Sequence, residues 1–82
     1  MRITINIFEM SPGSAATIVG YSKVYGGYVG KLISKGLLPG TQFVILNFTT
    51  QGEVQIMLKD QIVMLSKPEV NALCVEILGD EE

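Results

Sequence analysis

The sequence predicts one mainly β domain, a small barrel of five to six strands with one short helix and one helical turn. Short segments of alternating or β-branched apolar residues recur along the chain, and brief turn sequences separate them. Only one segment, residues 25–35, has the apolar spacing of a helix. We expect the strands to close into a barrel, because closure removes exposed sheet edges.

Two strands are predicted before the helix. Isoleucine alternates with polar residues between positions 3 and 7, which is the periodicity of a strand. Ser11–Gly13 then forms a turn around Pro12. The segment Ser14–Tyr21 is β-branched in its second half and predicts the next strand, in which Gly20 indicates a bulge or a close packing contact.

A short helix is predicted after these strands. Apolar side chains recur at i, i+3, i+4, i+7 and i+8 from Tyr25, so they share one helical face. The segment also contains three glycines, which lower helix propensity. We therefore expect only a short helix, which begins near Gly27 and ends near Ser34 or Lys35.

The segment Lys35–Gly40, KGLLPG, ends this helix and starts the next strand. Gly36 stands where a left-handed residue follows a helix, and Leu37 can fold back onto the helix in a Schellman cap. Pro39 and Gly40 supply the two central positions of a type II turn. A phosphate-binding loop would precede a helix rather than follow one, so this segment is interpreted as structural.

Four strands are predicted after this turn, over residues 41–48, 53–59, 62–65 and 74–78. Asp60 and Gln61 are expected to form a tight turn. Ser66 and Glu69 match a capping box, with Pro68 in the first turn, and predict a single helical turn. The predicted core consists of eight apolar side chains: Ile18, Leu32, Phe43, Ile45, Val54, Ile56, Leu65 and Val75.

Length and composition indicate a single domain over residues 1–82, with its core between about 11 and 78 and an acidic tail at 79–82. A chain of 82 residues buries one modest core and leaves no deep substrate cavity. The net charge is −2 and no basic stripe is present, which disfavours nucleic-acid binding. Because no signal segment and no membrane-length apolar run is present, we expect a cytoplasmic protein without direct membrane insertion.

The sequence lacks the side chains that most catalytic and metal sites need. It contains no histidine, which excludes a Ser-His-Asp or Cys-His triad. Cys74 is expected to be a small apolar side chain on a strand. We therefore expect no enzymatic activity, no catalytic residue and no bound cofactor. The tail carboxylates Asp80, Glu81 and Glu82 are either ligands for a hard cation or a solvated tail, so a metal site stays open.

One candidate surface for binding a partner lies on the predicted helix and the turn after it. Tyrosine favours protein interfaces because it combines a large apolar area with a polar tip. The alternative is that the tyrosines cover one end of the barrel. The candidate partner-binding residues are Tyr25, Tyr28, Lys31, Lys35 and Leu38.

The segments KLISKGLLPGTQF and MLSKPEV, with the order of predicted elements around them, resemble the FeoA family between about Ser11 and Leu78. The most specific part is a leucine followed after three residues by G-L-x-P-G, which here comprises Leu32, Gly36, Leu37, Pro39 and Gly40. The resemblance implies an SH3-like barrel. It also implies a bacterial, cytosolic, non-enzymatic accessory protein of ferrous iron uptake, which docks on the cytosolic GTP-binding part of a FeoB-type transporter.

Two other functions stay open from the sequence. Small barrels can pair through edge strands, and the N-terminal segment MRITINIF is a candidate edge. The protein would then be a self-associating structural or scaffolding barrel, and a homo-oligomer. The other function is weak metal binding through the acidic tail.

Overall fold

The computed structural model describes residues 4–23 and 26–78. Its strands are β1 (Thr4–Ile5), β2 (Ala15–Tyr21), β3 (Gln42–Phe48), β4 (Val54–Leu58), β5 (Gln61–Leu65) and β6 (Leu73–Ile77). Its helices are α1 (Val29–Ser34) and α2 (Lys67–Asn71), and short 3-10 turns cover Ile7–Glu9 and Gly26–Tyr28.

The strands form one antiparallel sheet in the order β1-β6-β2-β3-β4-β5. Strands β3 to β5 pair with their neighbours in sequence, whereas β6 returns to lie between β1 and β2. The pairing of β2 with β6 shifts register between Ile18 and Gly20, which confirms the predicted bulge. Bulges bend a strand, and the bent sheet encloses one apolar core. The mainly β prediction is confirmed.

All eight side chains predicted to form the core are buried. The core also takes in side chains from the turns and from α2, where strand alternation gives no guidance. These additional residues include Ile7, Met10, Val70 and Ala72.

The first strand is shorter than predicted. β1 ends at Ile5, and Ile7 begins a 3-10 turn. The side chain of Asn6 accepts a hydrogen bond of 2.8 Å from the backbone N–H of Phe8. Such a local bond competes with strand pairing and favours a turn. The apolar alternation predicted a strand through Ile7, but Ile7 is buried from within a 3-10 turn.

The turn between β4 and β5 lies one residue before its predicted position. Leu58 pairs with Gln61, so the two loop residues are Lys59 and Asp60. Lys59 has a φ of 48°, in the left-handed region that residues other than Gly, Asn and Asp rarely adopt. The prediction at Asp60 and Gln61 was wrong because a lysine in this conformation has no sequence signal.

The end of α1 has the predicted Schellman cap. The backbone N–H of Leu37 donates to the carbonyl of Leu32 at 2.9 Å, and that of Gly36 donates to Ile33 at 3.0 Å. Gly36 has a φ of 89°, and the side chains of Leu32 and Leu37 are both fully buried. The helix therefore ends as predicted, with Lys35 as its C-cap.

The type II turn after α1 is also present. The N–H of Thr41 donates to the carbonyl of Leu38 at 3.0 Å, and Gly40 has a φ of 90°. Gly40 in turn donates to the carbonyl of Ile18 on β2 at 2.7 Å. This second bond fixes the turn, and the start of β3, against the sheet.

Candidate partner-binding surface

Tyr28 and Lys31 come together at the start of α1. The Lys31 ammonium lies 5.7 Å from the centre of the Tyr28 ring, within the range of a cation–π contact. Tyr28 is half-buried and packs against the core, as expected of a tyrosine that covers one end of the barrel. Lys31 is exposed. Tyr25 lies outside the described residues.

Two exposed aliphatic side chains lie on the same part of the chain. Leu38 is 45% exposed, on the turn after α1, and Ile33 is 48% exposed. The helical spacing predicted Ile33 on the buried face, and this was wrong. A six-residue helix makes less than two turns, and the Schellman cap buries Leu37 beside Leu32 in its place. We call Tyr28, Lys31, Ile33 and Leu38 the α1 surface.

Lys35 forms internal contacts, although its side chain is 33% exposed. Its ammonium donates to the two carboxylate oxygens of Glu69 at 2.8 and 3.0 Å, and to the carbonyl of Met64 at 2.9 Å. An ammonium has three hydrogens, so these acceptors satisfy all of them. The sequence placed Lys35 with the docking residues, but the structure gives it the role of holding the end of α1 against β5 and α2.

Glu69 is the buried partner in this contact, with 5% of its surface exposed. It completes the capping box of α2, because its Oε1 accepts from the N–H of Ser66 at 2.9 Å and from the Ser66 hydroxyl at 3.1 Å. Burial raises the pKa of the Glu69 carboxyl, but the bonds from Lys35 and Ser66 outweigh this and hold it below its ordinary value. The carboxylate is therefore charged when it pairs with Lys35.

The sequence did not predict the pairing of Lys35 with Glu69. The capping box predicted Glu69 correctly as a helix cap, but a local motif does not report a second partner 34 residues away. Helical spacing likewise placed Lys35 on the polar side of α1. The burial of Glu69, which favours a cationic partner, is known only from the structure, so the sequence carried no signal for this pair.

The described part of the chain contains no group of side chains that could hold a metal ion. No group of three or more His, Cys, Asp or Glu side chains comes together within residues 4–23 and 26–78. Cys74 lies half-buried on β6 as a free thiol. The tail residues Asp80, Glu81 and Glu82 lie outside the described residues. No helix within these ranges is long and apolar enough to cross a bilayer.

Solved structures share this architecture over most of the chain. A crystal structure of an iron uptake regulatory protein, FeoA, is 24% identical with a TM-score of 0.78, and the alignment covers 93% of this chain and 99% of that one. A FeoA-like protein from Clostridium acetobutylicum, solved by NMR, is 20% identical with a TM-score of 0.84, covering 100% and 95%. At this level of identity the likeness shows the fold alone, and it confirms the small SH3-like barrel.

A longer protein contains the same fold as one part. The crystal structure of IdeR from T. acidophilum is 19% identical with a TM-score of 0.72, and the match covers 90% of this chain but 34% of that one. Among curated proteins, no sequence matches this chain. The family model described as the FeoA domain matches residues 5–77. The chain therefore belongs to the FeoA domain family, and this membership implies a small protein associated with ferrous iron transport.

Proposed function

We propose that this protein is a cytoplasmic, non-enzymatic accessory protein of ferrous iron uptake, which docks through its α1 surface on the cytosolic GTP-binding part of a FeoB-type transporter. Family membership supports the link with ferrous iron transport. The solved FeoA structure, described as an iron uptake regulatory protein, supports a regulatory role. The single observation that carries the proposed surface is that Ile33 on α1 and Leu38 on the turn after it are exposed, while the end of the helix is fixed by the part-buried ion pair of Lys35 and Glu69.

The α1 surface has the composition of a protein interface. Ile33 and Leu38 supply exposed apolar area, and Tyr28 with Lys31 supplies an aromatic ring beside a cation. Aromatic residues are enriched at interface centres, and a peripheral charge favours association with an acidic partner surface. Because Lys31 and Ile33 are two positions apart and do not share one side of the helix, we infer that the partner contacts α1 with an acidic region on the side of Lys31 and an apolar region on the side of Ile33.

The fixed position of α1 favours binding. Lys35 is occupied by Glu69 and Met64, and the N–H groups of Gly36 and Leu37 are occupied by the cap. The hydroxyl of Tyr21 also donates to the carbonyl of Leu37 at 2.7 Å, just before the exposed Leu38. A surface that is already ordered loses less conformational entropy on binding. In this proposal Lys35 supports the docking surface rather than touching the partner.

Titration calorimetry with the cytosolic domain of a FeoB-type transporter from the same organism tests this proposal, with and without guanine nucleotide. We expect Leu38→Ser and Lys31→Glu each to weaken binding by about tenfold or more, as substitutions near an interface centre do. Lys67→Glu is the matched control, because Lys67 is an exposed lysine on α2. Equal affinity of Lys31→Glu and Lys67→Glu, together with unchanged binding of Leu38→Ser, would rule out this surface.

Self-association is the second candidate, and one observation favours it. The sheet order places β1 at one end of the sheet, as the proposed edge requires. Within the described residues, β1 offers Thr4 and Ile5 at this edge. Sedimentation equilibrium separates the two functions, since a strict monomer at high protein concentration contradicts self-association. Weak metal binding remains the third candidate, and metal titration of a variant that lacks residues 80–82 would test it.

A further inference from the structure

A shallow, open groove of about 560 Å³ lies on the outer face of β2, β3 and β4. Its volume is within the range of protein ligand sites. It begins at the turn after α1, where Gly40 and Thr41 line it, and ends at Lys59 in the turn after β4. The groove contains none of the residues of the α1 surface, so its function is a separate question.

The floor of the groove is an apolar row that crosses the sheet. Ala15 on β2 pairs with Val44 on β3, and Val44 pairs with Met57 on β4. Met57 pairs in turn with Ile62 on β5, which is 58% exposed and extends the row past the groove. Directly paired residues place their side chains on the same face of a sheet. The outer face thus offers a continuous apolar strip in contact with solvent.

Lys59 places a cation at the end of this strip. It follows Met57 by two residues and lines the same groove. Its backbone has a φ of 48°, an unusual conformation for lysine, and such residues are concentrated at ligand-binding sites. Among residues 4–23 and 26–78, the Lys59 side chain has no hydrogen-bond or ion-pair partner. Its ammonium therefore remains available to an anion.

We propose that this groove binds an extended segment of a partner protein, in which an aliphatic side chain is followed two residues later by Asp or Glu. In an extended chain, residues i and i+2 point to the same side and lie about 7 Å apart. Lys59 likewise follows Met57 by two positions, in the turn directly after β4, and both residues line the groove. The aliphatic side chain packs on Val44 and Met57, and the carboxylate pairs with Lys59.

Two polar side chains of the groove complete the site. Within the described ranges, Thr41 and Gln42 form no side-chain hydrogen bond, although both line the groove. A hydroxyl and an amide can donate to, and accept from, the backbone of an extended peptide. The groove lies mid-sheet, so the bound segment contacts side chains and does not add a strand. This inference does not depend on the function proposed for the α1 surface.

An NMR titration with blocked five-residue peptides tests the proposal on the intact protein. The probe is acetyl-Ser-Leu-Ser-Glu-Ser-amide, and the controls are acetyl-Ser-Ser-Leu-Glu-Ser-amide and a version of the probe with Lys in place of Glu. We expect saturable shifts of the Val44 and Met57 methyl signals with the probe, and at least threefold weaker binding of each control. Equal binding of the three peptides, absence of saturable shifts, or shifts confined to α1 would overturn it.

Matched variants test the two halves of the site. Lys59→Gln should weaken binding of the probe peptide about two- to fivefold, the range expected for loss of an exposed ion pair. Lys67→Gln should leave this affinity unchanged. Val44→Thr should weaken binding of the probe peptide by a similar factor. Val19→Thr should leave it unchanged, although Val19 and Val44 are both 38% exposed. The amide spectrum of each variant reports whether the fold is kept. Equal effects within either pair of variants would overturn the assignment.

Discussion

At the scale of single residues, Lys35 and Glu69 make the contact on which the position of α1 depends. One ammonium satisfies the Glu69 carboxylate and the Met64 carbonyl, and so joins the end of α1 to β5 and to the first turn of α2. Glu69 is nearly inaccessible to water. Loss of Lys35 would leave the buried Glu69 carboxylate with only its bonds from Ser66, and loss of a charged partner is the costly case for buried ion pairs.

We expect Glu69→Gln to lower the free energy of unfolding by about 2 kcal/mol, measured by urea denaturation. The Lys35 side chain is 33% exposed, so water screens part of the loss and the figure stays below that of a fully buried pair. Glu9→Gln is the control, because Glu9 is exposed, and it should change stability by less than about 0.5 kcal/mol. Similar losses in both variants would contradict the role assigned to Glu69.

The same carboxylate should make stability depend on pH. The pKa of Glu69 is held below its ordinary value of 4.5, because the bonds from Lys35 and Ser66 outweigh burial, which raises it. A lower pKa in the folded state means that the stabilisation is fully present above pH 4.5 and is lost as pH falls through the folded pKa. Wild type should therefore lose more stability than Glu69→Gln on acidification below about pH 5. Parallel pH profiles would contradict this.

At the scale of elements, replacing glycine by alanine should have opposite effects on stability within α1 and at its cap. Gly36→Ala should cost about 1–2 kcal/mol, because alanine resists a φ of 89°, and Gly36→Val should be more disruptive still. A Cβ there would meet only the Leu58 side chain at 3.9 Å, so crowding is not the cause. Gly30→Ala, inside the helix, should instead gain up to about 1 kcal/mol. Thermal unfolding measures both changes, and a Gly36→Ala variant as stable as wild type would contradict the cap.

Elements with a local signal could be predicted from the sequence. The Schellman cap at Gly36, the type II turn at Gly40 and the capping box at Glu69 each depend on residues within one turn of each other, and each is present. The eight core positions followed from strand alternation and helical spacing in the same way. In these segments the local preference and the tertiary fold agree, so the sequence pattern was sufficient to predict the structure.

Features that depend on distant or unusual contacts could not be predicted. The pairing of Lys35 with Glu69 spans 34 residues, and no local spacing reports it. Ile33 has an apolar side chain at a helical position, but the brevity of α1 leaves it exposed. Lys59 adopts a left-handed backbone conformation that is usually signalled by glycine, so the observed turn lies one residue before its predicted position. Ile33 and Lys59 lie at the candidate surfaces, where local rules are expected to fail.

At the scale of the whole molecule, stability depends on one small core. Ile45→Ala should lower the free energy of unfolding by about 2–5 kcal/mol, because Ile45 is fully buried and truncation leaves a cavity. That is a large share of the stability of a small domain. Val44→Ala, at the next position of β3 but 38% exposed, should cost about 1 kcal/mol or less. Urea denaturation distinguishes them, and equal losses would contradict the inward and outward assignment of β3.

The α1 surface and the groove are both exposed regions with apolar side chains. The α1 surface ends at Leu38 and the groove begins at Gly40, so both regions include residues of the type II turn. Bonds from Gly40 to β2 and from Tyr21 to Leu37 fix this turn. A partner that engages both regions would gain affinity from two linked contacts. The α1 surface remains the region on which the proposed function depends.

The most direct test of the proposed function is amide hydrogen exchange of this protein, free and bound to the cytosolic domain of a FeoB-type transporter. We expect slower exchange on binding in residues 29–38, with Glu9 to Ser14 and β1 unchanged. Leu38→Ser should remove this protection without altering exchange in the free protein. Protection confined to β1 and β6, or complex formation with unchanged exchange across residues 29–38, would contradict docking through the α1 surface.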